Sequence, residues 1–360
     1  FIYLYLFIIF FFTFSINQTK DGEILDCVEI NKQFALDNPL LHNHSIQMKP
    51  NFKISKQTTS TIGSYTISLS PPQLVPKSTR CPRGTVLIKR IREEDLALEK
   101  FSSSFKTTIS TTKLTESITP NIDSVPGHYI ATIVASTNNV GVYGLIVKIN
   151  SQTPLFFVAS DDGDVTNAIQ AGWAVYSYLY QNSTRLYSYW TRDTGKITGC
   201  YNALCPGFVQ VSQSVTLGQV IDPISTYWGH QVFTNTTIQQ DQVTKNWWLI
   251  FETEPLGYFP KELFSTLANG ATRAGWGGEV YTPTTATSPA MGSGNFPEDG
   301  YSKACLISKM QVIGPQYFPN GTDLRQTITK ADCYRALYGG NVGGDFDNHM
   351  FVGGPANCNA

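Results

Sequence analysis

Short runs of alternating apolar and polar residues, separated by Gly, Pro and Asn, recur throughout residues 128–360. Examples are HYIATIVAS, GVYGLIVKI, RLYSYWT, NWWLIFE, GWGGEVY and CLISKMQVIG. Side chains on a strand point alternately to its two faces, so each run predicts a strand with at least one face in a core. Helical periodicity is nearly absent from this part of the chain. Many short strands with turn signals between them are typical of an all-β fold, and we predict an antiparallel β-sandwich or jelly roll over 127–360.

The chain begins with an apolar stretch, FIYLYLFIIFFFTF, which gives way to a polar run at Ser15. A helix that crosses a bilayer needs about 20 apolar residues, so this stretch is typical of the hydrophobic part of a secretory signal peptide. We predict a signal peptide over 1–16 that is truncated at its start, because the initiator Met and a basic segment are missing. We therefore expect a secreted protein of the extracellular space, cell wall or vacuole, with no membrane contact after signal removal.

In a secretory pathway, Asn-x-Ser/Thr sequons can accept N-linked glycans. One sequon falls at Asn17, beside the signal peptide. The sequons that we predict to be glycosylated are at Asn43, Asn182, Asn235 and Asn320.

In an oxidising compartment the seven cysteines are expected to pair. Their positions allow three bridges, which could staple the N-terminal segment, close a short loop and hold the Gly-rich C-terminus: Cys27–Cys81, Cys200–Cys205 and Cys333–Cys358. The remaining residue, Cys305, lies in a strand pattern and is predicted to be a free, buried thiol.

A Ser- and Thr-rich segment divides the chain. The stretch SSSFKTTISTTKLTESITPNIDSVPG has no apolar periodicity and contains Pro near its end. Such a segment is typical of an exposed linker that proteases can cut. We therefore predict a small N-terminal domain over 17–106, a cleavable linker over 107–126 and the β-sandwich domain over 127–360.

Composition and motif content exclude several classes of function. Only 15% of the residues are charged and the net charge is −1, whereas nucleic-acid binding rests on clustered Lys and Arg. The sequence has no nucleophile elbow, His-Glu-x-x-His motif, phosphate-binding loop or dinucleotide fingerprint. The five His are scattered and no Cys-x-x-Cys occurs, so we predict neither a metal nor a cofactor. An enzyme built on this chain would use carboxylates or amides.

Two predicted strands, AIQAGWAVY and AGWGGEVY, each carry one long polar side chain, Gln170 or Glu279, on a face otherwise reduced largely to Gly or Ala. Gly inside a strand often marks the close approach of another backbone, so a groove for an extended peptide would have this composition. The alternative is a solvent-facing polar residue beside a bulge. The predicted groove residues are Gly172, Gly275, Gly277 and Tyr281, together with Trp173, Trp190 and Trp276, for which core packing is the favoured alternative.

The motifs QAGWAV, GCYNALCPGFVQV, LGYFPKELF, GWGGEV and MGSGNFPEDGYSKA, in this order, resemble those of the plant neprosin family. The N-terminal strings DCVEINKQ, NPLLHNHSIQMKP and RCPRGTVLIKR similarly resemble its activation peptide. The resemblance implies a secreted zymogen with an inhibitory prodomain and a concanavalin-like β-sandwich catalytic domain. It also implies a glutamic endopeptidase that cleaves protein or peptide substrates after Pro at acid pH, with two Glu and no metal.

Carried over position by position, the family's second Glu falls on Glu279, but its first falls on Gln170. A peptidase needs a base that takes a proton from water and a donor for the oxyanion. A carboxamide cannot ionise but always carries donor hydrogens, and the fungal glutamic peptidases, which are similar in architecture, use a Gln and Glu pair. One hypothesis is therefore an active endopeptidase in which Glu279 activates water and Gln170 stabilises the oxyanion. The other is a catalytically inactive peptide- or cell-wall-binding module, because a site arranged around Glu could misorient the amide.

Overall fold

A computed structural model of the chain describes residues 14–18, 22–54, 80–93, 95, 127–139, 141–147, 154–175, 183–282, 286–314, 324–344 and 346–357. Its strands are β1 Phe14–Gln18, β2 Ile24–Glu29, β3 Thr85–Lys89, β4 His128–Asn139, β5 Gly141–Val147, β6 Pro154–Asp162, β7 Val165–Val175, β8 Thr184–Thr191, β9 Cys200–Tyr201, β10 Val209–Gln210, β11 Phe233–Gln240, β12 Trp247–Phe251, β13 Glu254–Phe259, β14 Ala271–Tyr281, β15 Cys305–Ile313, β16 Leu324–Ile328, β17 Arg335–Asn341 and β18 Asn348–Gly353. Short 3₁₀ helices cover Ile30–Lys32, Phe34–Asp37, Pro39–Leu41, Lys261–Leu263, Leu267–Asn269 and Pro297–Asp299.

The strands of the C-terminal domain form two large antiparallel sheets, which confirms the predicted all-β fold. One has eight strands in the order β10-β13-β12-β11-β5-β15-β18-β17. The other has seven, in the order β16-β4-β14-β6-β7-β8-β9. The consecutive strands β6, β7 and β8 pair directly with each other. Strand β14 lies between β4 and β6, although both of these strands are far from β14 in the sequence. The two segments that carry Gln170 and Glu279 are therefore β7 and β14 of the same sheet, with β6 between them.

The main hydrophobic core lies between the two large sheets. Its residues come from both sheets, and the β12 segment WWLIF is buried along its whole length. The sheets approach closely at Gly278 of β14, where a Cβ would lie 2.7 Å from the Met291 sulfur. A glycine is needed there because the opposing side chains fill the space.

The N-terminal domain covers the β10 edge of the eight-stranded sheet. Strand β10 is the last strand of the eight-stranded sheet, and Gln33 bonds its backbone as a neighbouring strand would. The Gln33 amide donates to the Gln210 carbonyl at 3.2 Å and accepts from the Gln210 N–H at 2.8 Å. Next to it, the Leu87 N–H donates to the Ser212 carbonyl at 3.0 Å. Covering an edge in this way satisfies backbone groups that would otherwise be open to another chain.

A buried ionic cluster also joins the two domains. Glu23, at the start of the N-terminal domain, pairs with Arg185 of β8 at 3.0 Å and with Arg92 and Lys89 at 2.5 and 3.1 Å. Lys89 in turn pairs with Asp95 at 2.7 Å. Glu23 is only 3% exposed, so these charges are stabilised by one another rather than by water.

The structure contains the predicted disulfides Cys27–Cys81 and Cys200–Cys205. Cys333 is also disulfide-bonded, and its predicted partner Cys358 lies outside the described residues. Cys305 belongs to no disulfide, and burial raises the pKa of its thiol to about 12. A thiol with so high a pKa is unreactive at physiological pH.

Several sequence predictions fall on parts of the chain outside the described ranges. These include residues 1–13 of the predicted signal peptide, the whole linker 107–126, and the sequons at Asn182 and Asn320. Strand β1 begins within the range assigned to the signal peptide and pairs with β2. Asn43 is exposed, whereas Asn235 lies in β11 and donates to Glu252 Oε2 at 2.8 Å. In the ranges that the structure covers, no helix is long and apolar enough to cross a bilayer.

Replacing Glu23 tests the ionic cluster. Glu23→Ala leaves Arg185 and Lys89 buried without this carboxylate, so we expect the free energy of unfolding to fall by about 3 kcal/mol or more. Urea unfolding of the full chain measures this. The matched control is Glu29→Ala at the end of β2, whose carboxylate pairs with Lys32 in solvent and should change the midpoint little. Equal midpoints for the two variants would contradict a stabilising cluster.

Candidate active site

A second apolar cluster lies on the face of the seven-stranded sheet that points away from the main core. Its residues belong only to that sheet, and this surface is called the site face below. The cluster consists of Ile130, Val134, Leu155, Phe157, Ala159, Ala168, Ala174, Tyr187, Tyr189 and Tyr201. Strand alternation places Gln170 and Glu279 on this same face. The central strands are thus buried on both sides.

Strand register fixes how far apart the two polar residues are. Gln170 of β7 is in line with Phe157 of β6 and Gly275 of β14. Glu279 lies four residues further along β14, opposite Ile130 of β4. The two backbones are therefore separated by about 13 Å along the strands and about 10 Å across them. The described hydrogen bonds of these side chains go to the outer neighbouring strands, from Gln170 to Tyr187 of β8 and from Glu279 to His128 of β4.

Gln170 is completely buried and only half satisfied. Its Oε1 accepts a hydrogen bond from the Tyr187 hydroxyl at 2.5 Å. Within the stretches of chain that the structure describes, its buried Nε2 has no hydrogen-bond partner, and the residue is 0% exposed. Because one end of the amide is held by Tyr187, the nitrogen is turned away from that hydroxyl. The site face thus contains a fixed amide donor that donates to no group in the described ranges.

Glu279 is 7% exposed and has a histidine beside it. His128 Nδ1 lies 3.1 Å from Glu279 Oε1. The imidazole is fully buried and packs against the ring of Tyr281, with 4.7 Å between centroids. His128 is the first residue of β4 and stands opposite Tyr281 in the β4–β14 register. Sequence reasoning treated the histidines as scattered and missed this contact, which only the pairing of these two distant strands reveals.

An ion pair lies on the same face at the opposite end of β14. Arg273 Nε and Nη2 donate to the two carboxylate oxygens of Asp161, each at 2.8 Å. Arg273 is buried in this pair. The pair neutralises its own charge and borders the site face on that side.

The glycines of the predicted groove do not form an open channel. A Cβ on Gly275 would collide with Cε1 of Phe157, so the ring of Phe157 occupies the space above Gly275. A Cβ on Gly277 would collide with the Ala131 carbonyl oxygen of the adjacent strand. Gly172 stands opposite Tyr187 in the β7–β8 register. The glycines make room for neighbouring side chains and backbone rather than directly for a substrate.

The three tryptophans proposed for the groove are core residues, which corrects that assignment. Trp173, Trp190 and Trp276 belong to the main core between the sheets. Trp190 packs edge-on against Phe264, with ring centroids 5.9 Å apart. Alternation along β7 and β14 puts Trp173 and Trp276 on the face opposite Gln170 and Glu279. Tyr281 does share the face of Glu279, as predicted from alternation.

The side chains of the site face can provide a carboxylate base, an imidazole that orients it and an amide donor. Among the residues that the structure describes, no group of three or more His, Cys, Asp or Glu could hold a metal ion. The two groups that sequence reasoning overlooked, His128 and Tyr187, each contact one of the two groups that it identified.

Comparison with protein-family models gives two matches. The Neprosin model matches residues 149–355, which contain both β7 and β14. The Neprosin activation peptide model matches residues 16–134, from β1 into β4. The two matches occur in the order expected of a prodomain followed by a catalytic domain. Because the Neprosin match covers more than half of its length, this chain belongs to the neprosin family and carries the family's activation peptide N-terminal to its neprosin domain.

Proposed function

We propose that this chain is the zymogen of a glutamic-type endopeptidase, with Glu279 as the base and Gln170 as the oxyanion donor. The observation that carries the proposal is the Nε2 of Gln170, which has no partner in the described part of the chain and is buried on the same face as a carboxylate. Nearly all buried donors have partners, and leaving one unpaired costs about 1–3 kcal/mol. A buried donor without a protein partner, on the same sheet face as a carboxylate, is typical of a site that donates to a ligand.

The proposed reaction begins when the Glu279 carboxylate takes a proton from a water molecule bound between the two side chains. The oxygen of that water attacks the carbonyl carbon of the peptide bond, and the carbonyl oxygen becomes negatively charged. Gln170 Nε2 donates a hydrogen bond to this oxyanion. Glu279 then gives its proton to the leaving amine, and the C–N bond breaks.

His128 holds the base in place. Its Nδ1 donates to Glu279 Oε1, and its ring is clamped by Tyr281. This contact restricts the carboxylate to one orientation. A base held in the reactive geometry gives a faster reaction than an equally basic group that moves freely. His128 is therefore a positioning residue in this proposal.

The latent state is supported by burial of the site face. Gln170, Leu155 and Phe157 are 0%, 0% and 1% exposed, although none of them lies in the core between the sheets. A peptide cannot reach Gln170 in this form of the chain. We infer that the activation peptide acts as an inhibitor and that removing it opens the site face.

Family membership supports the finer features of the proposal. These are cleavage after Pro, activity at acid pH, and secretion to the extracellular space, cell wall or vacuole. The competing candidate function is an inactive peptide- or cell-wall-binding module, which Gln170 in place of the family's Glu favours. The two functions differ in whether the activated chain cleaves peptides at all.

Variants at the two catalytic positions test the mechanism in chain activated by cutting the linker. We expect Glu279→Gln to lower kcat by about 10²–10⁴-fold, because the base is lost. Gln170→Ala should lower kcat by about 10²–10³-fold, because the oxyanion donor is lost. Hydrolysis of Pro-containing peptides measures both, with Glu298→Gln, a carboxylate in an exposed pair with Arg335, as the control. An inactive wild type combined with an active Gln170→Glu variant would reject the enzyme hypothesis and show that the groove is intact.

A variant of His128 tests the positioning of the base. His128→Phe keeps a ring against Tyr281 but removes the nitrogen that contacts Glu279. We expect kcat to fall by about 10–100-fold, because the carboxylate loses the contact that orients it, while KM stays the same. The control is His230→Phe, because His230 is exposed. A change in KM alone would assign His128 to substrate binding instead.

Acid should weaken the contact between the activation peptide and the main domain. His44 Nε2 lies 2.8 Å from the Tyr258 hydroxyl, and its Nδ1 lies 3.5 Å from Glu262. Burial lowers the pKa of His44 below its ordinary 6.5, against the opposing effect of Glu262. Burial alone would raise the pKa of Asp241, but hydrogen bonds from Asn51 and Gln47 bring it below its ordinary value. Both groups bind fewer protons when docked than when free, so docking weakens as pH falls, first near 6.5 and again near pH 4.

Size-exclusion chromatography of the chain, cut at a protease site introduced within 107–126, measures this release. We expect the two parts to co-elute at pH 7.5 and to separate progressively below pH 6.5. His44→Gln cannot titrate and should remove the first step, whereas His42→Gln, at an exposed position of the same segment, should not. Co-elution that is independent of pH down to about 3 would show that neither contact controls release.

A further inference from the structure

We propose that Tyr187 is a positioning residue that fixes the Gln170 carboxamide with its nitrogen free to donate. The inference rests on the proposed function and extends it to a residue outside the reacting pair. It also answers whether an amide can occupy the position of the family's Glu without being misoriented.

The two ends of a carboxamide are opposite in hydrogen-bonding character. The oxygen accepts and the nitrogen donates, so a rotation of 180° about the last bond converts a donor site into an acceptor site. An acceptor aimed at an oxyanion would repel it. A carboxylate at the same position has two equivalent oxygens and loses nothing by this rotation. The amide therefore needs an orienting contact that a carboxylate does not.

Tyr187 provides that contact. Its hydroxyl donates to Gln170 Oε1 at 2.5 Å, which ties the acceptor end of the amide to β8. The residue opposite Tyr187 in the register is Gly172, which has no side chain, so the phenol can extend across β7 to reach Gln170. The donor end is left on the other side, buried and without a partner among the residues that the structure covers.

The position of Tyr187 is itself held by its neighbours. Its ring lies 5.7 Å from that of Tyr201, and Tyr189 lies 4.9 Å from the same ring. Tyr201 follows Cys200, which is bonded to Cys205 in the short loop after β9. Tyr187 is 2% exposed. The disulfide-closed loop thus supports a group of three tyrosines. One of them, Tyr187, orients the Gln170 carboxamide through its hydroxyl.

A comparison of backgrounds tests the proposal in activated chain. We expect Tyr187→Phe to lower kcat by about 10–100-fold at unchanged KM, and to have no further effect in the Gln170→Ala background. In the Gln170→Glu background the same change should cost far less, because the carboxylate has no orientation to lose. The control is Tyr334→Phe, which removes another buried hydroxyl, one that donates to the Pro289 carbonyl at 2.7 Å. Equal losses in the wild-type and Gln170→Glu backgrounds would show that Tyr187 is merely structural.

A second measurement does not depend on activity. In full chain labelled with ¹⁵N at Gln side chains, the NMR signals of the Gln170 amide are those that vanish in Gln170→Glu. We expect Tyr187→Phe to shift these signals and Tyr334→Phe to leave them in place. Unchanged signals in Tyr187→Phe would overturn the proposal. If Tyr187→Phe shifts these signals but the wild type is inactive, the orienting contact is confirmed and the catalytic function is rejected.

Discussion

Burial of the central strands of the seven-stranded sheet on both faces is the constraint on which the rest of the structure depends. One face packs against the eight-stranded sheet, and the other carries a separate apolar cluster with Gln170 and Glu279 among it. Strand β8 shows the consequence, since all its residues from Thr184 to Thr191 are buried. A polar side chain on such a strand cannot bond to water, so its partners must come from neighbouring strands. Tyr187 is the partner of Gln170, and His128 is the partner of Glu279.

The features of the site that depend on a single strand could be predicted from the sequence. Alternation has a period of two, so the shared face of Glu279 and Tyr281 follows from the order of residues alone. The contact between His128 and Glu279 depends instead on the register of β4 with β14, strands far apart in the sequence. The ring of Phe157 over Gly275 depends on the register of β6 with β14 in the same way. Trp190 shows the limit of pattern alone, because on a strand buried on both sides no pattern of polarity distinguishes the core face from the site face.

The activation peptide stabilises the zymogen through contacts of different kinds. Gln33 satisfies the backbone of an edge strand, the Glu23 cluster compensates buried charge, and His44 and Asp241 form polar contacts whose strength depends on protonation. Backbone bonds are indifferent to pH, so they set a constant part of the docking free energy. The titrating contacts add a part that falls with acidification. Docking can therefore be firm at neutral pH and weaker in an acidic compartment without any change in sequence or covalent structure.

A Gln at position 170, where the resemblance implies a Glu, changes the electrostatics of the proposed site more than its shape. Two carboxylates that share a site must also share a proton, and their ionisations are coupled. An amide donates whatever the pH, so the donor at Gln170 is always present and Glu279 has only to be ionised to act as the base. The requirement that one acid stay neutral while the other is charged disappears. What replaces it is a requirement on geometry, because an amide has one correct orientation where a carboxylic acid can adapt by moving its proton. The Tyr187 hydroxyl meets that requirement, and it does so on the strand next to Gln170, where the register of the sheet rather than a flexible loop determines the distance.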